Sequence, residues 1–141
     1  MKNLIAILED DENRVSAMRN VITTKLPRFD VLVFDNAPDI IEWITTSVKL
    51  AALMSLDHDL GANQQRQNKV FDPGVGRDVV DLLISMEPIC PVIIHTSNSV
   101  AGDGMQFALE DAKWQTARVI PIGDGWIEAE WQEKVTQLMA L

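Results

Sequence analysis

The sequence predicts a doubly wound α/β fold, a five-stranded parallel sheet with helices on both faces, and three observations predict it; the strand order is taken as 2-1-3-4-5, one of the common orders of such sheets. Five short apolar runs alternate with five amphipathic segments at regular spacing. The runs are apolar nearly throughout, as in strands buried on both faces. Strands joined by helices imply right-handed crossovers, which make the sheet parallel.

Each element has its own warrant. NLIAIL (3–8) is the first strand, and the helix after it, about Glu12 to Leu26, gathers Val15, Met18 and Ile22 on one face. FDVLVF (29–34) is the second strand. Its helix starts near Pro38, a residue suited to a first turn, and runs to Leu50 with Ile40, Ile41, Ile44 and Val48 inward. LMSLD (53–57) is the third strand, followed by a long polar loop to about Gly76 that includes GANQQRQNK (61–69). A helix from Arg77 to Glu87 is expected to bury Val80, Leu83 and Ile84. PVIIHT (91–96) is the fourth strand, Val100 to Lys113 a helix, and ARVIPI (117–122) the fifth strand. The last helix, 127–139, turns Ile127, Trp131, Val135 and Leu138 inward.

Length and composition bound the function. The 141 residues suit a single domain, 1–141, with a sizeable core. No apolar run is long enough to span a membrane, and the apolar start of the chain ends in acids rather than a cleavage site, so a cytoplasmic location is expected. The single cysteine, Cys90, lies among apolar neighbours and reads as a core thiol. A net charge of −9 argues against a broad surface for duplex nucleic acid, though not against a local phosphate site.

In such sheets ligands bind outside the carboxyl ends of the strands. The first strand ends in Glu9, Asp10 and Asp11, the third in Asp57, His58 and Asp59, and the fourth in His95, Thr96, Ser97 and Asn98. The expected strand order makes these ends neighbours. Clustered carboxylates raise one another's pKa or recruit a cation, and hard oxygen donors favour Mg²⁺ or Mn²⁺. Asp11 and Glu12 also suit a helix cap, as do Thr96, Ser97 and Asn98.

These residues carry a resemblance. LEDDENR, LMSLD and PVIIHTS resemble the receiver domain of response regulators, a flavodoxin-like module of two-component signalling, over nearly the whole chain. The resemblance implies a metal-binding acidic pair at Asp10 and Asp11 or at Glu9 and Asp10. It also implies a phosphoacceptor at Asp57 and a phosphoryl-contacting hydroxyl at Thr96. Two departures stand out: ARVIPIGDGW lacks the lysine expected at the end of the fifth strand, and His58 and His95 replace apolar residues. With DHDLG and HTSN, the departures resemble the prokaryotic group of cyclic-phosphate-processing receiver domains.

The activity implied is a metal-assisted phosphoesterase acting on a cyclic or terminal phosphate, such as a 2′,3′-cyclic phosphate of a small molecule, nucleotide or RNA end. Asp10, Asp11, Asp57 and Asp59 are the expected ligands of Mg²⁺ or Mn²⁺, which polarises a phosphoryl oxygen. His58 and His95 would share the acid and base roles, or Asp57 would act as nucleophile with His58 assisting. Thr96, Ser97, Asn98 and Arg77 are the expected phosphate contacts. Arg77 suits a bidentate clamp and equally a solvated loop, and Arg66 and Lys69 lie in the same stretch. The glycines of SVAGDGM could offer backbone N–H groups to an anion. The rival reading is a receiver that signals or binds partners without catalysis, forming a homodimer through its last two helices with Trp114, Trp126 or Trp131 partly outside the core.

Overall fold

The computed structural model describes residues 2–139. Its strands are β1 (Leu4–Leu8), β2 (Asp30–Phe34), β3 (Ala51–Leu56), β4 (Gln64–Arg66), β5 (Lys69–Phe71), β6 (Val92–Ile94) and β7 (Thr116–Arg118). The main sheet is wholly parallel and runs β2-β1-β3-β6-β7, the five expected strands in the expected order. The helices are α1 (Glu12–Lys25), α2 (Ala37–Ser47), α3 (Gly76–Leu83), α4 (Ser99–Asp111) and α5 (Gln132–Met139). A 3₁₀ turn, Val48–Leu50, extends α2, and a π-helical turn, Ile127–Trp131, leads into α5.

Two-residue alternation along the strands divides the core into two layers. Ala6, Leu8, Met54, Leu56, Val92 and Ile94 pack with Ile40 and Ile44 of α2, Val79, Val80 and Leu83 of α3, and Met105 and Leu109 of α4. Ile5, Ile7, Leu53 and Ile93 face the other way, against Met18 and Ile22 of α1 and against Trp126, Trp131 and Val135. Trp114, Trp126 and Trp131 are all buried, so none of them forms the exposed face that the dimer reading asked of them. The apolar side chains most exposed on α4 are Val100 and Phe107 instead. Cys90 is buried, and desolvation pushes its thiol up to about 12, the behaviour of an inert core group. Among the described residues no helix is long and apolar enough to cross a membrane.

Four local expectations are corrected. The stretch expected to be an unstructured loop holds the antiparallel hairpin of β4 and β5. Its two turn residues, Gln67 and Asn68, have φ of 53° and 64°, the double positive-φ geometry that tight hairpins need; glutamine is an unusual choice there, which hid the signal. Helix α3 ends at Leu83 because the Ser85 hydroxyl takes the Leu82 carbonyl, and Ile84 is left 38% exposed rather than buried. The fifth strand of the main sheet stops early: Val119 makes its last ladder bond, Pro121 has no N–H to give, and Ile120 and Ile122 are exposed. The glycines of SVAGDGM lie within α4, where Gly102 makes room for Arg118 and Gly104 for Arg77, and so do not form an anion cradle at the helix start.

The start of α3 is seated directly on the strand end that carries Asp57. A Cβ at Gly76 would lie 1.9 Å from the Asp57 carbonyl oxygen, and the Gly76 N–H donates to the His58 carbonyl at 2.8 Å. Gly76→Ala is therefore expected to lower stability by about 2 kcal/mol or more. Thermal unfolding followed by circular dichroism checks this, and a variant as stable as wild type would refute the close approach.

Candidate functional site

The site follows from register. Leu8 pairs with both Phe34 and Leu56, and Leu56 pairs with Ile94, so the strands end level with one another. The next residues, Glu9, Asp57 and His95, continue the ladder, their N–H groups donating to the carbonyls of Phe34, Leu8 and Leu56 at 2.9–3.0 Å. Side-chain alternation then sends all three to the face of α1 and α5. Each is nearly or fully buried, at 1%, 6% and 0% exposure. Each offers a ligand atom, and those atoms lie within 4.8 Å of one another.

Buried polar groups need partners, and a chain of side chains supplies them here. Trp131 donates its indole N–H to Ser55 Oγ at 3.0 Å. Ser55 Oγ lies 2.7 Å from His95 Nδ1, and His95 Nε2 lies 3.1 Å from Glu9 Oε1. Indole can only donate, so the arrangement that pairs every buried proton has the Ser55 hydroxyl donating to Nδ1 and Nε2–H donating to Glu9. Glu9 Oε2 accepts the N–H groups of Asp10 and Asp11, both at 3.0 Å. Burial pushes the Glu9 carboxyl up, but these bonds and the nearby Arg14 outweigh it and hold the carboxyl below its ordinary value. His95 is thus fixed inside the protein with both ring nitrogens engaged. In this arrangement it positions Glu9, and neither ring nitrogen is turned to solvent.

Asp57 is shifted the other way. Burial, then the neighbouring Glu9 carboxylate, push its carboxyl up to about 6 against the opposing pull of His95 first and of the His58 N–H and Arg14 after it. Its Oδ1 accepts the His58 N–H at 2.7 Å, while among the described residues Oδ2 accepts no hydrogen bond and lies 3.9 Å from Arg14 Nη1. His58 is only partly buried. Its Nδ1 accepts the Arg77 backbone N–H at 3.3 Å, which puts the proton of the neutral ring on Nε2. So Asp57 has one uncommitted oxygen, and the adjacent residue has a proton donor of fixed tautomer.

The other expected residues divide. Asp10 is exposed beside Glu9, and partial desolvation and Glu9 raise its carboxyl. Asp11 caps α1, accepting the Arg14 N–H at 3.0 Å, so the acidic pair at the site is Glu9 and Asp10. Asp59 is an exposed acceptor for the Asn98 amide at 3.4 Å, and Asn98 also caps α4. Thr96 is buried with its hydroxyl accepting the Asn98 N–H at 3.2 Å, and Ser97 is exposed. Arg77 is not at the site: its Nε donates to Asp81 at 2.8 Å, a helix pair four residues apart, and only its backbone reaches His58. Arg66 is turned to Asp35 and Asp39, and the exposed Lys69 sits in the hairpin.

The cation that does reach the site is one that strand-end patterning could not single out. Arg14 Nη1 lies 3.6 Å from Glu9 Oε1, and its guanidinium lies 5.4 Å from the Trp126 ring. Trp126 stacks on His95 in turn, with centroids 6.1 Å apart. Arg14 sits in the first turn of α1, and helical side chains lean toward the N-terminus, so it bends back over the sheet edge. That geometry was the available signal.

The donor set suits a hard divalent ion. Carboxylates such as Asp57, with its Oδ2, and Asp10, exposed beside Glu9, are donors that Mg²⁺ or Mn²⁺ favours, whereas the imidazole near Asp57 is committed to Glu9.

A family model described as "Cyclic-phosphate processing Receiver domain" matches residues 5–111. The chain is also similar to solved receiver structures. The phosphorylated cyanobacterial phytochrome response regulator RcpA is 11% identical, with 99% of this chain and 96% of that one covered at a TM-score of 0.69. The Mn²⁺-bound response regulator Rcp1 matches with the same four figures: 11%, 99%, 96% and 0.69. The response regulator domain of Thermotoga maritima CheB is 15% identical, with 100% and 98% covered at 0.61. At these identities the solved structures establish the fold. No curated protein matches the sequence.

The raised Asp57 carboxyl makes a stability prediction. Between its ordinary 3.8 and about 6 the folded state binds more proton than the unfolded one, so stability falls as pH rises through that window and the full cost is reached above it. The shift corresponds to about 3 kcal/mol. In metal-free buffer, Asp57→Asn is expected to raise Tm at a pH of about 8, with the advantage shrinking toward pH 4. Tm differences that do not change with pH would contradict this.

Proposed function

Because the chain belongs to the family of cyclic-phosphate processing receiver domains, we propose that its acidic strand edge is a divalent-metal-dependent phosphoesterase for a cyclic or terminal phosphate, such as a 2′,3′-cyclic phosphate on a nucleotide or RNA end. One observation carries the reading: Asp57 keeps Oδ2 uncommitted while the next residue, His58, is pinned through Nδ1 and left with its proton on Nε2. A nucleophile and a proton donor are therefore adjacent in sequence and separately anchored.

The chemistry divides between them. Asp57 Oδ2 attacks phosphorus, the cyclic P–O ester bond breaks, and the departing alkoxide, hydrogen-bonded by the His58 Nε2–H, takes its proton from solvent water. Water then attacks the aspartyl phosphoester, its proton passes to the hydroxide left in solvent by the first step, and the P–O bond to Asp57 breaks to release a phosphomonoester. Asp10 and Asp57 would hold the metal, which when bound supplies Lewis-acid polarisation of the phosphoryl oxygens. His95, Ser55 and Trp131 keep Glu9 oriented behind the acidic pair.

The second reading stops after the first step. A response-regulator receiver would hold the phosphoryl group on Asp57 as a signal, and the solved structures similar to this chain support it, since all three are response regulators or their domains. The Mn²⁺ bound in Rcp1 supports a metal in either case. A panel of phosphoesters with Mg²⁺, run with wild type, Asp57→Asn and His58→Ala, separates the two. The esterase reading expects ring opening that Asp57→Asn abolishes and His58→Ala slows by about 10²-fold or more. No turnover, together with a base-labile phosphoryl adduct on Asp57 after treatment with a small phosphodonor, would establish the signalling reading instead.

A further inference from the structure

We infer that Arg14 is the phosphate-neutralising cation of this site, supplied from the first turn of α1. The inference rests on the reading that a phosphate meets Asp57 at a metal-bearing edge, and it holds for either fate of that phosphate.

The arginines near this edge differ in the partners they already hold. Arg77 donates to Asp81 at 2.8 Å, Arg118 to Asp103 at 2.9 Å, and Arg66 is held between Asp35 and Asp39 over the Phe71 ring. Arg14 is not committed in this way. Its guanidinium approaches Glu9 and Asp57 to 3.6 and 3.9 Å, beyond hydrogen-bond reach of both, and no other side-chain hydrogen bond holds it among the described residues. Its N–H donors therefore stand open beside the oxygen at which phosphorus would arrive.

It is nonetheless held in place. Asp11 accepts the Arg14 backbone N–H, which fixes the first turn of α1, and Trp126 lies under the guanidinium at 5.4 Å. With the side chain 33% exposed, the group borders solvent rather than lying sealed in the core. A cation that is preplaced, part-solvated and short of partners gains when an anion comes within reach, and a guanidinium can offer a phosphate two parallel N–H groups.

A structural counter-ion would behave differently, and the test uses that. Removing a positive charge beside the carboxylates leaves Mg²⁺ affinity equal or stronger, while an anion on Asp57 loses its partner. Tryptophan fluorescence of the whole chain, with Trp126 against Arg14, follows Mg²⁺ alone and then beryllofluoride at saturating Mg²⁺. For Arg14→Gln the expected result is Mg²⁺ binding at least as tight as in wild type and beryllofluoride affinity lower by about tenfold or more, with Arg14→Lys recovering part. Unchanged beryllofluoride affinity, or a parallel loss of Mg²⁺ binding, would overturn the role of Arg14. Wild type that binds neither probe would overturn the site reading beneath it.

Discussion

The level ending of three parallel strands is the constraint on which the rest depends. Leu8, Leu56 and Ile94 share one row, so Glu9, Asp57 and His95 must share the next, and alternation turns all three toward α1 and α5. Side-chain direction has a period of two, so a slip of one residue in β1 or β6 would send its polar group to the opposite layer, among Leu60, Val79 and Met105. Hydrophobic pairing deeper in the sheet thus fixes polar geometry at its edge.

The same constraint creates a problem, since it places two carboxylates and an imidazole where water hardly reaches. The protein resolves it asymmetrically. Glu9 receives the end of the Trp131–Ser55–His95 chain and two backbone N–H groups, while Asp57 receives one N–H and a distant guanidinium. One carboxyl is held down and its neighbour is pushed up. Pushing paired groups apart gives the two carboxyls distinct roles. Glu9 is the settled anion, and Asp57 is the carboxyl left with the fewer partners.

Much of this was legible in the sequence. The five strands and their parallel sheet followed from alternation of apolar runs, whereas the order 2-1-3-4-5, on which the meeting of the three strand ends rests, was taken from the common doubly wound order and not from the pattern. Asp57 and His58 could be named because they sit where an apolar run breaks. What stayed hidden depended on side-chain direction. Arg77 was expected to face the phosphate but turned along its own helix to Asp81, a contact as close at hand in the sequence as the one proposed for it. His95 was read as reactive because its strand-end position was visible and its burial was not. Ser55 was readable: a lone hydroxyl in an apolar strand, two residues before Asp57 and so on the same face, asks for a buried partner. The hairpin escaped because its positive-φ turn uses Gln67 and Asn68 without a glycine.

The indole of Trp131 reaches Ser55 across 76 positions of chain, and His95 reaches Glu9 across 86. Such separations make the polar edge a late event in folding. Glu9, one residue past β1, gains His95 only once β6 has joined the sheet, and Ser55 gains the Trp131 indole only once the π-helical turn docks. Contacts this distant in sequence are slow to form and reward the chain only after most loop entropy has been lost. During that interval Glu9, Ser55 and Asp57 are solvated rather than buried, so water leaves the edge in the same closing step that seats the last tryptophan.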